Sequence, residues 1–252
     1  MVSFDLKNRI ALVTGASRGI GRAIAEALAG YGAEAILVSR NQEDLETVAA
    51  GIREKGGRAT ALACNMGDLD AIGALYEKIT QTWGRLDILV NNAATNPFFG
   101  ELAAIGERAW QKTVDVNFKG PFFMIQKAIP LMKAAGKASV VNVSSVNGIR
   151  PAAFQGVYSI TKGALITMTQ AFAKELACHN IRVNALLPGF TDTQFSSVLM
   201  QNKEIYQTVV SQIPLNRHAE PDEMAGAVLY LVSDAASYTT GTCITCDGGL
   251  LA

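Results

Sequence analysis

The sequence predicts an α/β fold, a doubly wound parallel sheet of about seven strands with helices packed on both faces. Short runs rich in β-branched residues alternate along the chain with longer stretches whose apolar residues recur at helical spacing. That alternation is typical of right-handed crossovers between parallel strands. The composition, 49% apolar and only 17% charged, suits a sheet that is buried on both faces.

Each predicted strand is a short apolar run bounded by polar residues or glycine. In chain order the predicted strands are 10–14, 35–39, 59–64, 86–92, 139–145, 181–188 and 242–247. The helices between them are predicted from apolar residues three or four apart, as at Ile20, Ile24 and Leu28. One such sheet can absorb all 252 residues, so a single domain over 1–252 is expected.

The charge pattern argues against nucleic-acid and membrane partners. Lys+Arg and Asp+Glu number 22 each, so no overall field favours nucleic acid or an anionic membrane. The N-terminal residues enter a strand pattern at once, and no apolar run approaches the roughly 20 residues needed to cross a bilayer. The C-terminal Leu250-Leu251-Ala252 differs from a peroxisomal Ser-Lys-Leu address. We therefore expect a cytoplasmic protein.

The cysteines and histidines do not suggest a metal site. All four cysteines are expected to be free thiols in a reducing compartment. Cys243 and Cys246 have redox or zinc spacing, but in a strand, positions three apart point to opposite faces. His179 and His218 lack ligand spacing to each other or to the cysteines, so no metal is expected.

A glycine-rich turn follows the first predicted strand and leads into a helix. It reads Thr14-Gly15-Ala16-Ser17-Arg18-Gly19-Ile20-Gly21. Glycine permits the tight turn and lets the backbone approach a pyrophosphate, whose charge is held by amide groups at the helix N-terminus. An ordinary βα turn is the alternative, but the position between strand and helix favours a Rossmann-like nucleotide site.

The end of the second predicted strand indicates which nucleotide is bound. An NAD-binding unit usually places an acidic residue about 20 positions beyond the loop, to take the ribose hydroxyl. Ser39 and Arg40 stand at that place, and Arg18 lies within the glycine loop. Two guanidinium groups can hold a 2′-phosphate, so NADP(H) is predicted in preference to NAD(H). The alternative is that both arginines are solvated surface charges.

Tyr158 and Lys162 stand four residues apart in a predicted helix and therefore share one face. A phenol is a poor base at neutral pH, but a neighbouring ammonium group lowers its pKa. Tyr158 could then protonate a developing alkoxide or deprotonate an alcohol. Ser144 and Ser145 end the fifth predicted strand, where a hydroxyl can hydrogen-bond the substrate oxygen.

Taken together, these motifs resemble those of the short-chain dehydrogenase/reductase family over essentially the full chain. The matches are the glycine loop, Asn91-Asn92-Ala93-Ala94 after strand four, Asn117, Ser145, Tyr158 with Lys162, and Pro188-Gly189 after strand six. Ser145 lies 13 residues before Tyr158 (158 − 145), which is the family's spacing, so it is preferred over Ser144.

The resemblance implies a role for each matching residue. Asn117 would hold a water that connects Lys162 to solvent, Ser145 would orient the carbonyl, and Tyr158 would transfer the proton. Lys162 would also lower the tyrosine pKa and hydrogen-bond the nicotinamide ribose. Cofactor contacts are implied for Gly15, Ser17, Arg18, Gly19, Ile20, Gly21, Ser39, Arg40, Asn65, Met66, Asn92, Ala93, Tyr158, Lys162, Pro188, Gly189, Thr191 and Thr193. Asn65 and Ala94 depart from the family's usual Asp and Gly, which puts details of the adenosine pocket in doubt.

The substrate cleft is expected to be mostly apolar. Its expected lining is Phe98, Phe99, Val146, Ile149, Phe154, Phe190, Phe195, Leu199, Met200, Tyr206 and Val209. In the family the segment corresponding to about 190–215 is variable and often a mobile lid over the substrate; plain helical packing is the alternative. An apolar or aromatic ketone is therefore expected rather than a sugar.

The stretch 92–100 resembles that of NADPH-dependent carbonyl reductases of the dehydrogenase/reductase type. A 3-oxoacyl-carrier-protein reductase is the alternative within the enzyme class, because it shares the whole catalytic set. A catalytically silent NADP-binding sensor or scaffold is the alternative from another class. Helices at 107–135 and 154–177 are apolar around more than one face, so a homo-oligomer is expected, by resemblance a tetramer.

Overall fold

The computed structural model describes residues 2–194 and 203–252, which form one seven-stranded parallel sheet in the order β3-β2-β1-β4-β5-β6-β7. The strands are β1 (Ile10–Thr14), β2 (Glu34–Ser39), β3 (Arg58–Ala63), β4 (Ile88–Asn91), β5 (Ala138–Val143), β6 (Ile181–Pro188) and β7 (Cys243–Cys246). The predicted single-domain, doubly wound α/β fold is confirmed. The strand order reverses between β1 and β4, which opens a crevice at their carboxyl ends.

Helices cover both faces of the sheet and close two apolar cores. One core lies under α1 (Gly19–Gly30), α2 (Gln42–Glu54) and α8 (Asp222–Val232). The other core lies under α3 (Leu69–Trp83), α5 (Gly120–Ala135) and α6 (Gly156–Leu176). The shorter helices α4 (Glu107–Val114) and α7 (Lys203–Val210) flank the carboxyl end of the sheet. Because both faces of the sheet are covered, chemistry is confined to the strand ends and the loops that follow them.

Strand β4 is shorter than the predicted 86–92 because polar groups just beyond each of its ends form hydrogen bonds with residues of β1. Before it, the fully buried carboxylate of Asp87 accepts hydrogen bonds from the Ile10 N–H (3.0 Å) and from the Arg85 guanidinium (2.6 Å). Beyond it, the Asn92 N–H donates to the Thr14 hydroxyl (3.0 Å). Both ends of β4 are thus fixed to β1 by side-chain hydrogen bonds.

Strand β5 was predicted to end at Ser145, but it ends at Val143. The Ser145 hydroxyl accepts a hydrogen bond from the Asn147 N–H (3.1 Å) and so caps a short 3₁₀ turn at Val146–Gly148. A cap of this kind favours leaving the strand, because it satisfies a backbone donor that the sheet no longer pairs.

The predicted helix at 107–135 is interrupted by a π-helical turn at Asp115–Lys119. Gly120 directly follows this turn and lies so close to the Met66 carbonyl that a Cβ there would be 2.2 Å from its oxygen. The extra residue of a π turn changes which side chains face inward, and such turns are frequent at functional sites. Here the inward side chain is Asn117, which is fully buried.

No helix in the described ranges has the length and apolarity that a bilayer crossing requires. The four cysteines are free thiols. Burial raises the pKa of both Cys243 and Cys246, so neither has the character of a reactive thiolate.

Candidate active site

The glycine loop between β1 and α1 forms an open cradle. Gly15 and Gly19 have positive φ angles of 67° and 53°, a region that side chains other than glycine rarely adopt. A Cβ on Gly21 would lie 2.3 Å from the Gly15 carbonyl oxygen. Within the described residues, the side chain of the N-cap residue Arg18 makes no capping hydrogen bond to α1. The amide groups of its first turn can therefore bind an anion such as a pyrophosphate.

Thr14 ties the glycine loop to the turn after β4. Its hydroxyl accepts hydrogen bonds from the Asn92 and Ala93 N–H groups (both 3.0 Å), and the Asn92 side chain donates to the Thr14 carbonyl (2.9 Å). Thr14 is not among the residues for which the sequence motifs predict a role. This role could have been predicted from its position at the end of β1, directly before the first glycine, because a hydroxyl there can reach the neighbouring turn.

Arg18 and Arg40 emerge at the same edge of the sheet. Strands β1 and β2 are parallel neighbours with Thr14 opposite Val38, and the arginines lie in the segments that follow. Both arginines are exposed, and neither takes part in an ion pair within the described ranges. Their guanidinium groups are thus available to an anion at the end of β2.

Two further segments complete the predicted nucleotide site. After β3, the Asn65 side chain accepts a hydrogen bond from the Gly67 N–H (3.2 Å), and Met66 is buried. After β6, a Cβ on Gly189 would lie 2.6 Å from the Asp247 Cα.

The turn after β6 reaches back to the glycine loop. A Cβ on Gly19 would lie 3.2 Å from the Thr193 side chain, and the buried Thr191 hydroxyl donates to the Gly189 carbonyl (3.2 Å). The tertiary structure therefore gathers the predicted cofactor residues at the carboxyl end of the sheet. Of these, Ser17, Ile20 and Ser39 are partly exposed, and Pro188 ends β6.

Tyr158, Lys162 and Ser145 meet at the end of β5. The phenol of Tyr158 is hydrogen-bonded to Ser145. The ammonium nitrogen of Lys162 donates to the Val143 carbonyl (2.7 Å) and lies 5.5 Å from the centroid of the Tyr158 ring. All three side chains are buried. The four-residue spacing on α6 produces this arrangement, since residues four apart lie on one helix face.

Ser144 and Ser145 have different partners. The Ser144 hydroxyl donates to the Lys162 carbonyl (2.7 Å) and so joins β5 to the backbone of α6. Gly148 makes that approach feasible, because a Cβ on it would lie 2.8 Å from the Lys162 carbonyl carbon. Of the two serines, Ser145 is the one hydrogen-bonded to the Tyr158 phenol, which favours Ser145 as the group that orients a substrate oxygen.

The Asn117 side chain is fully engaged with protein groups. Its Nδ2 donates to the Thr95 carbonyl (2.9 Å) and the Thr161 hydroxyl (3.3 Å), and its Oδ1 accepts from the Thr95 N–H (2.7 Å). It thus joins the loop after β4 to α6, one residue before Lys162. A water bound at this residue would donate to the backbone carbonyl or to the remaining lone pair of Oδ1, since both Nδ2 hydrogens are already used.

The pKa values at this site differ from the sequence-based expectation. Burial raises the pKa of Tyr158 to about 12, and the hydrogen bond from Ser145 only partly opposes that rise. Burial also lowers the pKa of Lys162 to about 7. The expected lowering of the tyrosine pKa by the ammonium is not found, because desolvation penalises both charged forms. The phenol is therefore protonated at neutral pH.

The expected cleft lining divides into two groups. Phe99, Ile149 and Phe154 are exposed near the start of α6, while Phe98 is half-buried and Val146 is buried. In the second group, the ring centroids of Phe190 and Tyr206 are 6.0 Å apart, and Val209 is half-buried on α7. Phe195, Leu199 and Met200 lie outside the described residues.

His218 joins α7 to the segment before α8. Its Nδ1 is 2.9 Å from the Tyr206 hydroxyl, and its Nε2 is 3.4 Å from the Glu220 carboxylate. Asp192, His218 and Glu220 also bring potential ligand atoms within 4.8 Å of one another. Spacing along the chain did not suggest this grouping, because Asp192 comes from another segment. Exposed carboxylates commonly gather without a metal, and the expectation of no metal stays a prediction.

A Rossmann-like sheet with an anion cradle and a buried tyrosine, lysine and serine defines a nucleotide-dependent oxidoreductase. Residues 15–251 match a family model described as Enoyl-(Acyl carrier protein) reductase. The chain belongs to the short-chain dehydrogenase/reductase family. The resemblance inferred from its motifs is therefore confirmed.

Three known proteins show how close the similarity is. The chain is 39% identical over 244 residues to human Dehydrogenase/reductase SDR family member 4, covering 97% of this chain and 88% of that protein. It is 39% identical over 246 residues to the 3-oxoacyl-[acyl-carrier-protein] reductase FabG of Thermotoga maritima, covering 98% and 99%. A gluconate 5-dehydrogenase from Burkholderia cenocepacia, solved with NADP and tartrate, is similar at a TM-score of 0.94 and 30% identity, covering 98% and 97%.

Proposed function

We propose that this oxidoreductase is NADP(H)-dependent and transfers a hydride between nicotinamide and a carbonyl or secondary alcohol. The observation that carries the proposal is the buried Tyr158 phenol, hydrogen-bonded to Ser145 and sharing a helix face with Lys162. These groups lie at the carboxyl end of β5, beside the crevice where a parallel sheet of this kind binds its ligand.

Each side chain has a separate task in the proposed reduction. NADP(H), when bound, supplies or accepts the hydride. The Ser145 hydroxyl orients the substrate oxygen, and the Tyr158 phenol donates its proton to the oxygen as negative charge develops there. A pKa of about 12 keeps that phenol protonated and ready to donate. Lys162 hydrogen-bonds the ribose, and Asn117 holds the water that leads to solvent.

The residues present fit a phosphorylated dinucleotide. The uncapped first turn of α1 and the glycine cradle suit the pyrophosphate. Arg18 and Arg40 suit a 2′-phosphate. Position 39 holds a serine, not an acidic residue that would repel the phosphate. The NADP in the Burkholderia enzyme agrees with this preference. Asn65, Met66, Asn92, Ala93 and the turn 188–193 would hold the adenosine and nicotinamide ends.

The proposed substrate is an apolar ketone. Phe99, Ile149 and Phe154 expose apolar side chains beside the start of α6, whereas a sugar acid such as gluconate would need polar partners. A 3-oxoacyl thioester is the second candidate, favoured by the identity to the Thermotoga enzyme over 99% of its length. A silent NADP-binding sensor is less favoured, because Asn117, Ser145, Tyr158 and Lys162 are all present.

A substrate panel tests this function. Oxidation of NADPH and of NADH is followed with aryl ketones, diketones, acetoacetyl thioesters and gluconate-type sugar acids. We expect turnover with the ketones, faster with NADPH. Preference for the thioester would favour the second candidate. Tight NADPH binding without turnover on any carbonyl or alcohol would contradict the proposal and favour the sensor.

We also propose a cytoplasmic homo-oligomer, with a tetramer as the expected form, and a substrate lid at about 190–215, of which residues 195–202 lie outside the described ranges. Trp110, Phe122 and Ile160 are 44%, 38% and 60% exposed on the helices around 107–176, which suits a subunit contact. Light scattering of the purified protein would measure the assembly directly, and a monomer would contradict this part of the proposal.

A further inference from the structure

We propose that Phe99 and Phe154 form an aromatic pair that selects carbonyl substrates carrying an aryl group. This inference rests on the proposed ketone reduction and names the substrate class of the same site. Its basis is an exposed pair of rings, a strained backbone at one of them, and their position beside the helix that carries Tyr158.

The two rings come from different loops and meet in solvent. Their centroids are 6.1 Å apart with an interplanar angle of 43°. Phe99 is 56% and Phe154 is 53% exposed. Two neighbouring phenyl rings with more than half of their surface in water form a patch that gains free energy when something apolar covers it.

The backbone at Phe154 is strained. Four non-glycine residues in the described ranges have positive φ, and three of them are asparagine, which tolerates that conformation well. The fourth is Phe154, with φ of 63°. A bulky residue keeps such a conformation only where the surroundings hold it, and strain of this kind concentrates at binding sites. Here the Gly100 N–H donates to the Phe154 carbonyl (3.0 Å), which couples its loop to that of Phe99.

The pair lies at the start of the helix that carries Tyr158. Phe154 precedes Tyr158 by four residues, and α6 begins between them at Gly156. Leu102, from the same loop as Phe99, packs so tightly on Gly156 that a Cβ there would lie 2.6 Å from the leucine side chain. The loop with Phe99 is thus seated on the first turn of the helix that carries the phenol.

An aryl group is the chemistry that uses this pair best. Aromatic rings prefer tilted or offset contacts with one another, and such contacts add free energy beyond the burial of area. The two tilted rings are each more than half exposed, so ring surface of the pair is available to a third ring. A saturated group of equal size would gain burial but not the ring contact, so the pair discriminates between the two.

The test compares phenyl methyl ketone with cyclohexyl methyl ketone, which differ in the ring alone. Phe99→Leu and Phe154→Leu keep an apolar side chain but remove the ring. We expect each to lower kcat/KM for the phenyl ketone by about tenfold, mainly through KM, and to change the cyclohexyl ketone little. Phe99→Tyr and Phe154→Tyr should restore the preference. Phe4→Leu, an equal change at a side chain 39% exposed near the N-terminus, is the matched control.

Three other results would each overturn the inference. Equal losses for both ketones, or no loss for either, would overturn the inference and leave the proposed function intact. Equal losses together with a smaller assembly in light scattering would also overturn it, because the pair would then be a subunit contact. If the unaltered protein reduced neither ketone with NADPH, the inference would fall, and the proposed function would fall with it only if no other carbonyl or alcohol of the panel were turned over. Thermal unfolding of each variant shows whether the fold is retained.

Discussion

The ammonium nitrogen of Lys162 lies 5.5 Å from the centroid of the Tyr158 ring, and both side chains are buried. Burial acts on the two groups in opposite directions, raising the pKa of Tyr158 and lowering that of Lys162, because each charged form loses hydration. Tyr158 is therefore a proton donor at neutral pH. A cation bound beside the pair, such as oxidised nicotinamide, would favour the phenolate needed for alcohol oxidation.

Replacing Tyr158 with Phe removes the proposed proton donor while keeping the ring. We expect kcat for ketone reduction to fall by about 10²- to 10⁴-fold, because the alkoxide would have to find another acid. NADPH binding, followed by nucleotide fluorescence, should persist. Tyr31→Phe, at a side chain 50% exposed at the end of α1, is the control. Full activity in Tyr158→Phe would refute the assignment.

The two adjacent serines should differ in effect. Ser145→Ala removes the hydroxyl that contacts Tyr158, and we expect a loss of about 10²- to 10³-fold in kcat. Ser144→Ala removes the hydrogen bond that joins the end of β5 to the Lys162 carbonyl and should lower the free energy of unfolding by about 0.5–1.5 kcal/mol, with a smaller change in kcat. Steady-state kinetics and urea unfolding separate the two effects. The reverse pattern would assign the catalytic hydroxyl to Ser144.

Lys162→Met should change how stability depends on pH. The pKa of Lys162 is about 7 in the folded chain, against an ordinary value of 10.5. Between these values the unfolded chain binds a proton that the folded chain has released, so stability due to Lys162 rises with pH and its burial cost is greatest below 7. The gain in Tm from Lys162→Met should therefore be larger at about pH 6 than at about pH 9.

Lys127→Met is the control for that experiment, since Lys127 is exposed on α5. Its Tm difference from the unaltered protein should stay constant over the same pH range. A Lys162→Met difference that was equally constant would show that the buried amine does not titrate in this window.

Arg40→Asp should act on NADPH and NADH differently. Replacing a cation with an anion next to a 2′-phosphate removes a charge-assisted hydrogen bond and adds repulsion, so we expect KM for NADPH to rise at least about tenfold. KM for NADH should change far less. Arg108→Asp, at an exposed residue on α4, controls for the change in net charge. Equal effects on the two cofactors would place the phosphate pocket elsewhere.

Gly21 and Gly30, both in α1, test how much a close backbone approach matters. A Cβ on Gly21 would lie 2.3 Å from both the Gly15 carbonyl and the Asn92 side chain, whereas a Cβ on Gly30 meets nothing within 4 Å. Gly21→Ala should abolish tight NADPH binding and destabilise the fold by about 1–3 kcal/mol. Gly30→Ala should stabilise it by up to about 1 kcal/mol through helix propensity. Calorimetry with nucleotide titration measures both, and equal outcomes would contradict the close approach.

Local patterns predicted the fold because each strand and helix is indicated by apolar residues within its own short stretch of sequence. The runs that form β1 and β6 were bounded correctly, since their burial on both faces demands unbroken apolar sequences. The ends of β4 were predicted wrongly because partners distant in sequence decide them, and the end of β5 was predicted wrongly because the Ser145 hydroxyl caps the turn that follows. Asp87 and Thr14 bind across to neighbouring segments, and no local pattern reveals such partners.

The sequence by itself determined the alternation of strands and helices, the glycine loop, and the spacing that puts Tyr158 and Lys162 on one face of α6. Only the tertiary structure decided what Ser144 binds, which groups the Asn117 side chain contacts, and that burial shifts both pKa values. It also decided that the Phe154 backbone has a positive φ and that its ring lies next to that of Phe99. The physical reason is that spacing along a chain fixes direction within one element, whereas desolvation and hydrogen-bond partners depend on every element that packs around a group.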